Sequence, residues 1–243
     1  MKTLASAAIA IALILAGLAG YAAWLGYLGG ELFVPVPATA PARAGRGQLS
    51  AVILSGDMGF KVGKGPKLAE YLAGDGIATL GVNSLVYFRH HRTKAEIDAF
   101  IANVVRRGVA YGHGRRLILI GQSFGADILQ TGLAALPPDL RRHLAMVALF
   151  VPGDTVDYQT SPAEMLDLIE PDASALPTGR QLTWIPTLCV RGREETDSLC
   201  PHLTAPNVQK IVLPGGHRLN HDTELLYRQL ITAIDHRATN VSP

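Results

Sequence analysis

An α/β fold, a mostly parallel sheet with helices on both faces, is what this sequence predicts. Three observations carry the prediction. Short continuous apolar runs of the kind shown by buried parallel strands recur along the chain. Amphipathic stretches of helical length alternate with them. At Arg116–Leu136 an apolar strand, a Gly-x-Ser-x-Gly turn and a helix-length segment follow without a gap, before Pro137-Pro138. The alternation sets strands near 50–55, 77–82, 116–121, 145–151, 186–191 and 208–213. Helices fall near 64–74, 93–111, 123–136, 161–169 and 223–237, and no internal repeat is present.

The chain begins with a segment of a different kind. Lys2 is followed by an uncharged, mostly apolar run from Leu4 to Leu28, before Glu31. As a helix, that run is long enough to cross about 30 Å of hydrocarbon and exceeds a usual signal-peptide core. Gly17-Leu-Ala19 and Gly20-Tyr-Ala22 also resemble signal cleavage sites. The expectation is therefore an uncleaved membrane anchor, with a soluble exported protein after cleavage as the alternative. Residues 1–30 form the anchor or signal, and 31–48, with Pro35, Pro37 and Pro41, a Pro/Ala-rich tether. Residues 49–243 form one domain, large enough for a well-buried core.

The first strand of that domain, Ser50–Ser55, runs into the Gly-rich loop Gly56-Asp-Met-Gly-Phe60. Such a loop can cradle phosphate, but no Gly-Lys-Ser/Thr pair follows it, so a nucleotide site is not expected. It suits an oxyanion hole instead, with one backbone N–H from Asp57 or Met58 and the other from Phe124. Phe124 follows Ser123 in Gly121-Gln-Ser-Phe-Gly125, a nucleophile elbow. Gly121 and Gly125 let a tight turn pass close to its neighbours. The turn holds the Ser123 hydroxyl, in a strained conformation, at the carboxyl end of the sheet beside a helix N-terminus. The plainer alternative is a strand-helix turn with a capping serine.

After the strand at 145–151 comes a long connection, 152–185, where a hydrolase carries its lid. Within it, Ser161-Pro-Ala-Glu164 reads as an N-cap, a first-turn Pro and a capping-box glutamate. The strand Pro186–Arg191 then opens the loop Gly192–Pro201, which holds Glu194, Glu195 and Asp197. Asp197, four residues before Pro201, is the expected catalytic acid, with Glu195 as the alternative. Cys189 and Cys200 flank this loop, and in an oxidising compartment a disulfide would close it. The strand ending at Leu213 leads to Pro214-Gly-Gly-His217. His217 is the expected base, because the glycines free its loop to reach the elbow. His221 is the rival. His90, His91, His113, His143, His202 and His236 stand in polar or loop surroundings. The order serine, acid, histidine is that of a hydrolase of this architecture.

Composition excludes other classes. A formal net charge of +2, with no basic patch interleaved with aromatics, does not suit nucleic acid. Two cysteines cannot complete a tetrahedral zinc site unaided, so no metal is expected, nor any other cofactor.

Five stretches together resemble the bacterial VirJ/AcvB family. They are Ser55-Gly-Asp-Met-Gly-Phe60, Gly81-Val-Asn-Ser-Leu-Val-Tyr-Phe88 with Arg92-Thr93, Gly121–Asp127, Asp197-Ser-Leu-Cys-Pro201 and Leu213–His217. The resemblance covers roughly residues 49 to 237. It implies an α/β-hydrolase fold, an exported or periplasmic location, with the anchor in the bacterial inner membrane or a soluble periplasmic protein after cleavage, and hydrolysis of lysyl-phosphatidylglycerol or related aminoacylated lipids. Some members are linked to virulence and secretion, so proteins of those systems are possible partners. By position, Ser123 is the nucleophile, His217 the base and Asp197 the acid. The chain departs from the family at Met58, where Gly is expected, at Phe60, where Trp is expected, and at Arg89, where a further Trp is usual. For a lysyl ester, Asp57, Asp154 and Asp157 are candidate partners of the ammonium groups. The same residues would serve a general carboxylesterase or thioesterase, or remain on a non-catalytic interaction protein.

Overall fold

The structure, a computed structural model, describes residues 2–161 and 169–239, without the side chains of residues 2–5, 7, 8 and 237–239. Strands are β1 (Phe33–Val36), β2 (Leu49–Leu54), β3 (Thr79–Val82), β4 (Arg116–Gln122) and β5 (Leu144–Phe150). They continue with the two-residue β6 (Thr155–Val156) and β7 (Ala173–Ser174), then β8 (Thr187–Gly192) and β9 (Val208–Leu213). Seven of them form one sheet in the order β1-β3-β2-β4-β5-β8-β9, and β6 pairs with β7 alone. Every neighbour in the large sheet is parallel except β1, which runs antiparallel along β3. This is the mostly parallel α/β-hydrolase sheet that the sequence predicts.

The continuous apolar runs are explained by burial on both faces. In β2, Val52 and Leu54 join one core while Ala51 and Ile53 join the other. In β4, Leu117 and Leu119 divide from Ile118 and Ile120 in the same way. Helices α4 (Lys94–Tyr111) and α5 (Phe124–Leu133) cover the first face, and α2 (Gly65–Gly74) and α8 (Thr223–Thr239) the second. Thr93 starts α4 with a capping box: its hydroxyl accepts from the Glu96 N–H at 3.3 Å, and the Glu96 carboxylate accepts from the Thr93 N–H at 2.8 Å. Register sets Leu54 opposite Gly121, Gln122 opposite Phe150 and Gly192 opposite Leu213. The loops after β2, β4, β8 and β9 therefore leave the sheet at one end, where α/β proteins build their sites.

Three regions differ from expectation. Residues 33–36, expected within a tether, form the edge strand β1, because Phe33 to Val36 pair with Val82 to Thr79. Farther along the same segment Arg46 is buried, bridging Asp75 at the end of α2 and Asp235 on α8. Short helices α3 (Ser84–Phe88), α6 (Pro138–Arg141) and α7 (Leu176–Gly179) fill connections in which no helix was expected. The helix expected at 161–169 falls almost wholly outside the described residues. Residues Lys2–Leu25 form helix α1, with Ile9, Ile11, Leu13, Ile14, Leu15 and Leu18 exposed. Among the described residues no helix is long and apolar enough to cross a membrane, and the expected span, Leu4–Leu28, lies partly outside the described side chains.

Candidate active site

Ser123 stands between β4 and α5 with φ 53° and ψ −129°, backbone angles that L-residues rarely adopt. The turn is locked by its neighbours: the Ser123 N–H donates to Phe150 O at 2.8 Å and the Ala126 N–H to Ser123 O at 2.6 Å. A Cβ on Gly121 would lie 2.5 Å from Ala126 Cα, and one on Gly125 would strike the carbonyls of Leu54 and Ser55. Only glycine at both places lets helix and sheet approach closely enough to make the elbow.

The Ser123 hydroxyl reaches His217 Nε2 at 2.7 Å. Nδ1 of the same ring meets Glu195 Oε1, also at 2.7 Å. The other carboxylate oxygen, Oε2, accepts from the Gly192 N–H at 2.6 Å. Glu195 is thus held at both oxygens, its side chain only 5% exposed against 53% for His217. A serine, an imidazole and a fixed carboxylate in this order have the geometry by which a hydroxyl is made nucleophilic.

Asp197, the first expectation for the acid, does not occupy that position. It is exposed, and its backbone carbonyl accepts from the Asp154 N–H at 2.7 Å, beside a bridge between Gly153 and Ser198. The strand end explains the exchange. Gly192 packs so tightly against the carbonyls of Gly215 and Gly216 that a side chain there would clash, so the histidine loop lies directly over the end of β8. An acid must come from the first turn after Gly192, and Glu195 folds back to do so. Two residues farther on, the chain has already turned toward Gly153. His221 lies in the turn Leu219–His221 leading to α8, exposed, and Ser123 is met by His217 instead.

Gly56–Gly59 is a turn closed by the Gly59 N–H donating to Gly56 O at 3.1 Å, which leaves the Asp57 and Met58 amides outside that bond. A Cβ on Gly56 would stand 3.6 Å from that of Ser123, so the turn backs directly onto the serine. Phe124, the first residue of α5, has an N–H without an intrahelical acceptor. Its ring is buried edge-on against Phe88 at 5.2 Å.

Sequence reasoning missed two supports of these loops. Lys64, mostly buried before α2, donates from Nζ to Arg218 O at 2.7 Å and so fastens the histidine loop. Burial, helped by the nearby Arg218 charge, pulls its ammonium below the usual lysine range. Asp127, one turn into α5, accepts from the Gly153 N–H at 2.8 Å. The residue is part-exposed, yet its carboxyl is enclosed. Burial pushes it well above the usual carboxylate range, and Asp157, Asp57 and Asp197 push it further. No spacing rule marks a lysine or aspartate for such work. The disulfide between Cys189 and Cys200 is present and closes the loop that carries Glu195. Among the described residues no cluster of His, Cys, Asp and Glu could hold a metal ion.

Solved structures of low sequence identity share this fold. Proline iminopeptidase from Mycobacterium smegmatis is 11% identical with a TM-score of 0.62, over 86% of this chain and 96% of that one. Est1E from Butyrivibrio proteoclasticus, with ferulic acid bound, is 15% identical with a TM-score of 0.59, over 85% and 95%. The Bacillus licheniformis lipase BlEst2 is 11% identical with a TM-score of 0.59, over 84% and 99%. Among curated proteins none matches. The profile of the bacterial virulence protein (VirJ) family matches residues 48–238, which takes in the whole sheet from β2 to β9 and every residue of the serine–histidine–glutamate line: the chain belongs to the VirJ family.

Proposed function

We propose that this protein is a serine hydrolase of carboxylic esters that acts at a membrane on the aminoacyl ester of lysyl-phosphatidylglycerol or a related aminoacylated lipid. The observation that carries the hydrolase activity is the continuous line Ser123 Oγ, His217 Nε2, His217 Nδ1, Glu195 Oε1, with 2.7 Å at each contact. His217 takes the Ser123 proton as Oγ attacks the ester carbonyl. The N–H groups of Phe124 and of Asp57 or Met58 receive the developing oxyanion. The C–O bond to the lipid alcohol then breaks, with His217 returning the proton to that alcohol, and a lysyl-serine ester remains. Water, deprotonated by His217, attacks that ester; free lysine leaves and Ser123 regains its proton. Glu195 holds the ring tautomer and stabilises the imidazolium that forms at each step.

Two features support a cationic, lipid-borne acyl group. Asp57, Asp157 and Asp197 are close enough to Asp127 to raise its carboxyl, so negative charge gathers around the elbow where a lysyl group's ammonium charges would be welcome. Helix α1 exposes apolar side chains from Ile9 to Leu18, and Tyr21 and Trp24 stack at 5.8 Å nearest the domain, an arrangement suited to hydrocarbon with an aromatic pair at the interface. Seated in the inner membrane of a bacterium, α1 would hold the domain on the periplasmic side, where the disulfide is stable. Incubating the protein with lysyl-phosphatidylglycerol, short soluble esters and acyl thioesters, beside Ser123→Ala, tests this. Release of lysine by the parent and not by the variant is the expected result. Turnover of simple esters alone would leave a general esterase. Inactivity on all three would leave a binding protein.

A further inference from the structure

The last carbonyls of a helix need donors: in α1, Ala22 and Ala23 find them on Gly26 and Tyr27, and Trp24 and Leu25 find them on the domain that follows. Asn83, directly after β3 and 3% exposed, donates from Nδ2 to Leu25 O at 3.3 Å. Lys61 donates from Nζ to Trp24 O at 2.6 Å and lies over the Trp24 ring at 5.2 Å. Leu25 itself is 2% exposed, and the Asn83 N–H donates to Leu32 O at 2.8 Å. The end of α1 is therefore built into the domain.

What it is built against is the turn beside Ser123. Gly59 closes that turn at φ +80°, and a Cβ there would come within 2.6 Å of Asn83 Oδ1 and 3.1 Å of Leu25 O. The turn's closing residue thus rests on the Asn83 amide and the helix carbonyl together, and Lys61 follows it by two residues. Asn83 Oδ1 has no hydrogen-bond partner, so this amide is fixed by the helix on one side and abuts the turn on the other. Resting on the hydrolase activity proposed above, we infer that Asn83 is a positioning residue, joined by Lys61, that sets the oxyanion turn Gly56–Gly59 in register against the end of helix α1. Helix α1 and the oxyanion hole then form one mechanical unit. The domain is held at a fixed attitude to α1 and does not swing on a tether.

Full-length protein in detergent, with a water-soluble ester, tests this without any demand on lipid access. Asn83→Asp keeps the shape and turns the donor into an acceptor facing Leu25 O. Lys61→Met removes an exposed donor and spares the fold, and Lys61→Arg restores one. Misplacing an oxyanion donor costs less than removing it, which is about 10²-fold or more. Asn83→Asp should lower kcat about tenfold with KM within about twofold of the parent, below its melting transition. Lys61→Met should lower kcat a few-fold, and Lys61→Arg should recover it. Parent-like kcat in both Asn83→Asp and Lys61→Met, or losses that appear only in KM or in thermal stability, would overturn the inference while leaving the hydrolase intact. A parent that turns over no ester would instead remove the activity on which the inference rests.

Discussion

The elbow and the loop after β8 each carry one member of the Ser123–His217–Glu195 line, and they are held in opposite ways. At Gly121–Gly125 the backbone itself is the constraint: two close approaches exclude any side chain at the glycines, and the serine between them is held at φ 53°. In the Gly192–Pro201 loop the backbone imposes less. Glu195 is placed by its own two carboxylate oxygens, on His217 and on the Gly192 amide, inside a ring closed by Cys189 and Cys200. A turn fixed by sterics survives loss of its side chain, whereas a loop fixed by a side chain loses its geometry with it. The elbow should therefore respond to mutation in chemistry alone, and the acid loop in chemistry and in structure.

The largest expected effect is at the serine. Ser123→Ala should abolish ester turnover, a loss on the order of 10³-fold or more, with the melting temperature little lowered, and a fluorophosphonate should label Ser123 in the parent only. Labelling of another serine would break the comparison at its first term. His217→Ala should cost nearly as much, because the members act as a unit, while His221→Ala should be mild.

The acid loop comes next. Glu195→Gln should lower kcat by about 10²- to 10⁴-fold and also lower stability, since a neutral amide cannot serve both His217 and the Gly192 N–H as the carboxylate does. Asp197→Asn should stay within about threefold of the parent in kcat. If the two variants exchanged places, the acid would be Asp197 after all.

Reducing the Cys189–Cys200 bridge sharpens the contrast further. A loop this short should contribute about 2–3 kcal/mol. That corresponds to a fall of about 5–10 °C in melting temperature. Turnover should suffer below the transition, because Glu195 rides on the loop that is opened; elbow geometry should not.

The smallest effect is expected at Asp127, whose carboxyl burial raises. Below the ordinary carboxylate range both folded and unfolded chains carry the proton, and the residue's contribution is whole. As pH rises, the unfolded chain gives up its proton first, so stability falls until the folded carboxyl ionises as well. Asp127→Asn keeps an oxygen for the Gly153 N–H and removes this slope. Its melting temperature should exceed the parent's near neutral pH and match it near pH 3, measured by thermal scans across that range.

Legibility followed the same division. The elbow could be read because Gly121 and Gly125 are steric necessities at fixed offsets from Ser123, and His217 because glycines precede it. The parallel strands could be read because burial on both faces demands unbroken apolar runs. Glu195 is harder to read, since a side chain that folds back on its own strand end leaves no spacing signature, and Asp197 stands at the more familiar distance from Pro201. Residues 31–48 read as a tether because prolines and alanines look like a linker, yet Phe33–Val36 is only four residues of edge pairing and Arg46 is held by partners 29 and 189 positions away. Contacts of that kind are decided by the rest of the fold.

The backbone angles at Ser123 have a consequence for how such a chain evolves. A non-glycine residue held at φ 53° and ψ −129° costs about 1–3 kcal/mol against a relaxed turn, and glycine would occupy the same place almost freely. Drift toward greater stability therefore runs through the loss of Ser123. Serine at this position is a residue that the fold alone does not favour, so its hydroxyl is held in place at a cost in stability.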